Sequence, residues 1–375
     1  MTKKHVFVAM SGGVDSSVAA ALLLNEGYDV LGVTMRLWSD ETPRNPFRPG
    51  CCILGADDAR AVCRVLGITH QVMNLEQEFE REVVDYFCRN YERGRTPNPC
   101  LACNDRVKFR TLLDRAAAMG ADYLATGHYA RIARNAGGFD LLRGVDETKD
   151  QSYALFTVGQ KELSRLLFPV GEHRKTEVRR LAAQWDLPVA EKPDSFEICF
   201  VPDDYRAFIG ERVAQRPGEI RDMAGRIVGR HEGIGGYTIG QRHGLGVAVG
   251  EKRYVVAIDR LANVITIGGE DDLLRHGLLA EELRWVSGRP PADGAMVLAQ
   301  VRYRSPAVAA RLSTKGERAE VCFEEPQRAI TPGQAVVFYE GERVLGGGII
   351  LKGLPVTGER NHIQGGVAHE LAGHP

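Results

Sequence analysis

The apolar run His5–Met10 passes directly into Ser11-Gly12-Gly13-Val14-Asp15-Ser16-Ser17, and Ser16–Glu26 continues with helical periodicity. A buried strand that turns at once into a helix can gain a parallel neighbour only after a crossover, and this constrains everything downstream. The following residues obey that constraint. Asp29–Met35 reads as a second buried strand, and Ala59, Val62, Cys63 and Leu66 form the apolar stripe of a second helix. His70–Leu75 is the next strand; Phe79, Val83, Tyr86 and Phe87 mark a third helix. Phe109, Leu112, Leu113, Ala116 and Ala117 mark a fourth helix, closed by Gly120 and followed by strand Tyr123–Thr126. The pattern predicts an α/β fold: a doubly wound parallel sheet covered on both faces, with ligands bound beyond the carboxyl ends of its strands.

A chain of 375 residues is too long for one such core. The texture changes near residue 205, where the helical period ends and glycine becomes frequent, especially over Gly225–Gly250. Short strands with turn signals follow: Met296–Arg304, Ala319–Phe323, Ala335–Tyr339 and Arg343–Leu351. These suit a small antiparallel barrel or sandwich. The expected division is 1–204 for the nucleotide-type α/β domain, 205–276 for a small central β-rich domain and 277–375 for a C-terminal β-barrel, with Asn361–Pro375 fraying.

Composition excludes several classes. No apolar run is long enough to span a bilayer, and the first residues lack the pattern of a signal peptide, so a cytoplasmic protein is expected. The 48 basic and 49 acidic residues nearly cancel, so any nucleic-acid surface must be a local patch. Eight cysteines are too few for a disulfide scaffold in a chain of this length. Cys63 and Cys322 read as core, while Cys51, Cys52 and Cys88 have no assignable role.

Adjacent glycines at 12 and 13 let bare N–H groups approach an anion, and the helix start adds its dipole and unpaired donors. The string lacks the GxxxxGK[ST] pattern of a Walker A loop. It resembles instead the PP-loop of the ATP pyrophosphatases, adenine nucleotide alpha hydrolase-like domains that split ATP between its α and β phosphates. That resemblance implies ATP, with Mg2+, held by Ala9, Met10, Ser11, Gly12, Gly13, Val14, Asp15 and Ser16, together with Met35 and Gly127.

Further segments narrow the resemblance: Arg95-Thr-Pro-Asn-Pro-Cys100-Leu-Ala-Cys103-Asn104, Ala125-Thr-Gly-His128-Tyr129, Lys149-Asp-Gln-Ser-Tyr153 and Asp194-Ser-Phe-Glu-Ile-Cys199-Phe200. With Gly235–Leu245, Val301–Arg304 and Thr331–Gln334, they are similar, nearly from end to end, to the tRNA-specific 2-thiouridylases (MnmA/TrmU). The resemblance implies ATP-dependent thiolation of the wobble uridine at C2, with AMP and pyrophosphate released. It makes Cys199 the persulfide carrier and Cys103 the nucleophile. It implies tRNA contacts through Asn98, Pro99, Cys100, His128, Lys149, Asp150, Gln151, Arg302, Tyr303, Arg304 and Gln334. The partners implied are the tRNA anticodon arm and a sulfur-donor protein, such as a cysteine desulfurase or a relay protein. Many members carry Asn-Pro-Asp where this chain has Asn98-Pro99-Cys100, so the family's acid–base carboxylate is missing here.

Taken without the resemblance, the same residues leave alternatives open. Cys103 precedes the fourth helix, with Asn104 available as its N-cap, and a thiol there would have its thiolate favoured; a buried structural cysteine fits the position too. Cys199 lies between Ile198 and Phe200 and could face into the sheet. Cys100-x-x-Cys103 lacks the second pair that a structural zinc site needs, so no metal is expected, although an iron–sulfur cluster on Cys100, Cys103 and Cys199 is chemically possible. Other adenylating PP-loop enzymes and a non-catalytic RNA-binding protein are the rival readings. The run Arg174, Lys175, Arg179, Arg180 adds positive charge to a helix.

Overall fold

The computed structural model describes residues 3–38, 54–194, 198–201, 204–247 and 250–355. Cys51, Cys52 and Asn361–Pro375 lie outside them. The first sheet contains β1 (His5–Ala9), β2 (Asp29–Arg36), β3 (Thr69–Asn74), β4 (Tyr123–Thr126) and, later in the chain, Leu166–Leu167. Its order is β3-β2-β1-β4 and then Leu166–Leu167, every pair parallel. Alternation along β1 divides the core. Val6 and Val8 face the helices α1 (Val14–Asn25), α2 (Leu54–Leu66) and Lys175–Gln184, whereas Phe7 faces Phe79, Phe87, Phe109 and Leu112. Cys63 is core as expected, its Sγ 3.4 Å from the Met10 sulfur.

The fourth helix starts earlier than the apolar stripe predicted. Asn98 is its N-cap, with its side chain accepting from the Cys100 amide at 3.0 Å, and Pro99 occupies the first position. An Asn cap followed by Pro is a strong start signal, typically about 1 kcal/mol for the cap alone, and here it outweighs the later periodicity. Cys103 therefore sits in the second turn, not before the helix, and Asn104 is no cap: its amide donates to the Ala154 carbonyl. From Cys103 to Leu112 the helix is π-wound.

A hairpin that the sequence reading missed, β5 (Ala130–Asn135) and β6 (Gly138–Arg143), leaves the first sheet and joins the C-terminal one through Leu142 and Arg343. The central unit is a four-stranded sheet built from Gly218–Asp222, Ile227–His231, Tyr254–Asp259 and Val264–Gly268. The last unit resolves the choice between barrel and sandwich. Leu274–Trp285 pairs both with Arg318–Arg328 and with Arg343–Leu354, which closes a six-stranded antiparallel barrel. Its strand at 295–300 ends before Arg302, so Arg302, Tyr303 and Arg304 occupy a turn, not the strand expected there. Cys322 is exposed on its strand, because alternation turns Val321 and Phe323 inward instead.

Asp150 holds the turn that leads out of the hairpin. Its carboxylate accepts from the Gly144 and Ser152 amides, the Ser152 hydroxyl and the Arg143 guanidinium. Replacing Asp150 by Ala should cost about 2–4 kcal/mol, since several charge-assisted bonds are lost together; urea-unfolding midpoints measure it.

Candidate active site

The turn from β1 into α1 is shaped by close backbone approach. Gly12 adopts φ +71°, and a Cβ there would lie 2.3 Å from the Gly55 carbonyl oxygen. A Cβ on Gly55 would meet the Ser11 carbonyl at 1.9 Å, and one on Gly127 the Ser16 amide at 2.6 Å. Three chain segments thus converge as bare backbone on Ser11–Ser16. Within the loop, the Ser16 hydroxyl accepts from the Ser11 amide at 3.2 Å, and the Ser17 hydroxyl donates to the Gly13 carbonyl at 2.8 Å. Ala9 ends β1, and Met10 and Met35 are buried at the carboxyl ends of β1 and β2. Val14 and Asp15 open α1 behind the Gly13 cap. The α1 N-terminus, capped at Gly13 by no side-chain hydrogen bond, offers its first amides to an anion.

A charged cluster stands beside the loop. Asp15 accepts from the Tyr129 hydroxyl at 2.7 Å and from Lys175 Nζ at 2.6 Å. Lys175 also reaches Asp194 Oδ1 at 2.9 Å, and Asp194 is further held by Lys149 and Arg179 at 2.9 and 2.8 Å. Burial alone would raise the Asp194 pKa, but hydrogen bonds from Lys149 and Lys175 and their charges pull it down to about 2. Lys192 Nζ bonds the Gly12 carbonyl at 2.9 Å and Asp58 at 2.5 Å, tying the loop to α2. Gly55, Lys192 and the partnership of Lys175 with Asp15 were not legible as site features. Lys175 was visible only as one cation in a helical run.

The two site thiols rest on different supports. Cys103 is buried in the helix that Asn98 caps, while Cys100 is exposed one turn earlier. Cys199 is half-buried in the short turn 198–201, not in a strand, and packs against the apolar core from there. Its neighbour Phe200 packs against Trp38, Phe79, Phe87 and Phe208 with ring centroids 5.2–6.1 Å apart. Cys103 belongs to the same apolar cluster, and Cys199 abuts it. Among the described residues, no group of three His, Cys, Asp or Glu side chains is arranged to hold a metal ion.

The segment before these thiols is held by both other units. The Thr96 amide donates to the Pro332 carbonyl at 2.8 Å, and the Thr96 carbonyl accepts from Gln334 Nε2 at 2.8 Å. The hydroxyls of Thr96 and Thr238 lie 3.0 Å apart, and Arg95 pairs with Glu281 at 3.0 Å. Gln334, expected at tRNA, is therefore bonded to the Asn98–Cys100 loop's own base.

Other expected contacts are similarly engaged. Gln151 exchanges hydrogen bonds with the Tyr129 backbone, and Lys149 serves the Asp194 cluster. His128 is buried between Phe109 and Phe168, its Nδ1 2.6 Å from the Thr126 hydroxyl. Burial, aided by the charge of Lys108, holds its pKa well below the usual histidine value. Arg302 and Arg304 remain exposed on the barrel turn, with Tyr303 half-buried beside Tyr153.

Two outcomes follow. Gly127→Val should abolish nucleotide binding, measured by titration calorimetry, while the far-ultraviolet circular dichroism stays native. Because His128 is depressed when folded, the unfolded chain takes up its proton first as pH falls. Stability should therefore decline below about pH 6.5, and His128→Gln should flatten that decline in denaturant titrations at stepped pH.

Comparison with known proteins agrees with this geometry. Residues 4–203 match a family model described as a tRNA methyl transferase HUP domain, 206–269 its PRC-barrel domain and 275–350 an aminomethyltransferase β-barrel domain. A tRNA-specific 2-thiouridylase MnmA of Moorella thermoacetica is 51% identical over 350 residues, covering 92% of this chain and 98% of the relative. Those of Roseiflexus castenholzii and Carboxydothermus hydrogenoformans are each 50% identical, covering 92% and 94% of this chain and 99% of each relative. With the family model matched over 4–203 and half of its residues identical to these relatives over nearly their whole length, the protein belongs to the tRNA-specific 2-thiouridylase MnmA family.

Proposed function

We propose that the protein thiolates uridine in tRNA, activating the C2 oxygen of the wobble base with ATP and replacing it with sulfur. The observation that supports this most directly is the bare cradle of Gly12, Gly55 and Gly127 around Ser11–Ser16. It suits a polyphosphate and leaves no place for a Walker lysine. Mg2+ would arrive on the nucleotide's phosphates, with Asp15 the nearest carboxylate.

In this reading the C2 oxygen attacks the α-phosphorus, the bond to pyrophosphate breaks, and the uridine N3 proton passes to solvent. Oxygen bound as adenylate can then leave as AMP. Cys199 carries the persulfide, loaded by a donor protein. Its terminal sulfur bonds to C2 as AMP departs, and the Cys103 thiolate attacks the inner sulfur. That step leaves 2-thiouridine and a Cys103–Cys199 disulfide, which two electrons from a cellular thiol reopen. A reducing cytoplasm suits this cycle. The domains are taken as 1–204 for catalysis, 205–276 as a spacer and 277–375 for docking the anticodon arm, with Arg302 and Arg304 on its exposed turn. Asn98, Pro99 and Cys100 flank the target base.

Products should be AMP and pyrophosphate; tRNA-dependent ADP would overturn the reading. Cys199→Ser should accept no persulfide, and Cys103→Ser should load sulfur without completing transfer, each losing thiolation in nucleoside mass spectrometry. Cys100→Ser should keep most activity with reductant present. Stoichiometric iron in anaerobically purified protein, lost with activity in Cys100→Ser, would instead favour a cluster-dependent thiolase. Arg302→Ala should weaken tRNA binding and lower its salt slope by about one unit, read from binding isotherms at graded salt.

A further inference from the structure

The loop Ser11–Ser17 contains no cation, yet the pyrophosphate that leaves during adenylation gains negative charge as its bond to the α-phosphorus breaks. Backbone amides and a helix dipole supply only partial charges. Besides the Mg2+ that the nucleotide would bring, the chain itself can supply a full positive charge only from outside the loop, and the structure brings one there from a distant helix. Lys175 opens the helix Lys175–Gln184, where its amide donates to Asp146 at 2.9 Å. Its side chain is only 10% exposed, and its ammonium bridges Asp15 of α1 and Asp194 at 2.6 and 2.9 Å.

We propose that Lys175 is the residue that receives the β- and γ-phosphates of ATP and balances the leaving pyrophosphate, and that Asp194 positions it; this rests on the adenylation reading above. Three features single out Lys175 among the neighbouring cations. Lys192 is spent on the Gly12 carbonyl and Asp58, so it shapes the loop. Lys149 and Arg179 bind Asp194 but make no bond to an α1 side chain that the structure describes. Lys175 alone of the four pairs with a carboxylate inside the Ser11–Ser17 turn.

Two carboxylates flank the Lys175 ammonium, and the Tyr129 hydroxyl shares Asp15 with it. Asp194 is bonded by Lys149 and Arg179 as well as by Lys175, so its charge is shared among three cations and the Lys175 ammonium is not held by it alone. When phosphates enter, the Lys175 ammonium exchanges Asp15 for a phosphate oxygen. Asp194, pinned by Lys149 and Arg179, keeps the side chain from swinging away. As the leaving bond breaks, its electron pair stays on pyrophosphate, opposite the ammonium.

The test is calorimetric titration of the full chain with ATP, AMP and inorganic tripolyphosphate, with Mg2+ present. Lys175→Met should weaken ATP and tripolyphosphate binding about 30-fold, as expected for one charge-assisted contact, and leave AMP binding unchanged. Lys175→Gln, which can still donate to Asp15 and so preserves the fold, should show the same loss. Lys175→Arg should recover most of it. Asp194→Asn should give an intermediate loss for tripolyphosphate alone. Wild-type affinity for tripolyphosphate in Lys175→Gln would overturn the proposal, as would an equal loss for AMP, which marks a collapsed site. Product analysis of the wild type separates the two readings. AMP and pyrophosphate with an unaffected Lys175→Gln removes only the role of Lys175, whereas ADP and phosphate removes the adenylation reading and this role together.

Discussion

Both backbone groups of Thr96 are bonded to the barrel, and its hydroxyl meets Thr238 of the central unit. This one residue fixes where the helix carrying Cys100 and Cys103 begins. The Pro332-Gly333-Gln334 turn that holds it can approach because Gly333 takes φ +92°, and a Cβ there would sit 2.9 Å from the Thr96 amide. Each bond is worth only about 1 kcal/mol net, but an unmade one would leave a partly buried amide or carbonyl unsatisfied. The barrel therefore sets the geometry of the segment that leads into Cys100 and Cys103. Gln334 illustrates the point: its side chain holds the loop in place.

The nucleotide cradle and the thiol site are built on opposite principles. The cradle is made by subtraction: glycines at 12, 55 and 127 let three backbones meet where any side chain would intrude. The turn bearing Cys199 is held by packing, with Phe200 wedged among Trp38, Phe79 and Phe87 in the apolar cluster to which Cys103 also belongs. Between them, Asp194 links the cationic cluster to the segment that leads into Cys199. A substitution at Asp194 would disturb both, which is why its variants must be read by ligand class.

Burial silences one titratable group beside the loop. His128, pressed between two phenylalanines and bonded to Thr126, stays neutral, so it serves as a packed ring behind Gly127 and offers no charge to a phosphate. The exposed cations on the barrel turn, Arg302 and Arg304, have the opposite character. Both side chains are exposed to water, so salt screens whatever charge they meet.

The sequence by itself determined the parallel sheet and the glycine turn after β1, because strand and helix periodicities and short motifs are local properties. It also showed a barrel-like tail, though not whether the sheet closes; closure depends on Leu274–Trp285 pairing with two partners far apart in the chain. The start of the Cys103 helix was misread since apolar periodicity begins only where the helix meets the core, while the cap and proline act a turn earlier on partly exposed residues. Only the tertiary structure could bring Gly55, Lys175 and Lys192 to the loop at Ser11. Their partners lie 40 to 180 positions away, and a lone glycine or lysine carries no local signature of the backbone it will meet or the charge it will face.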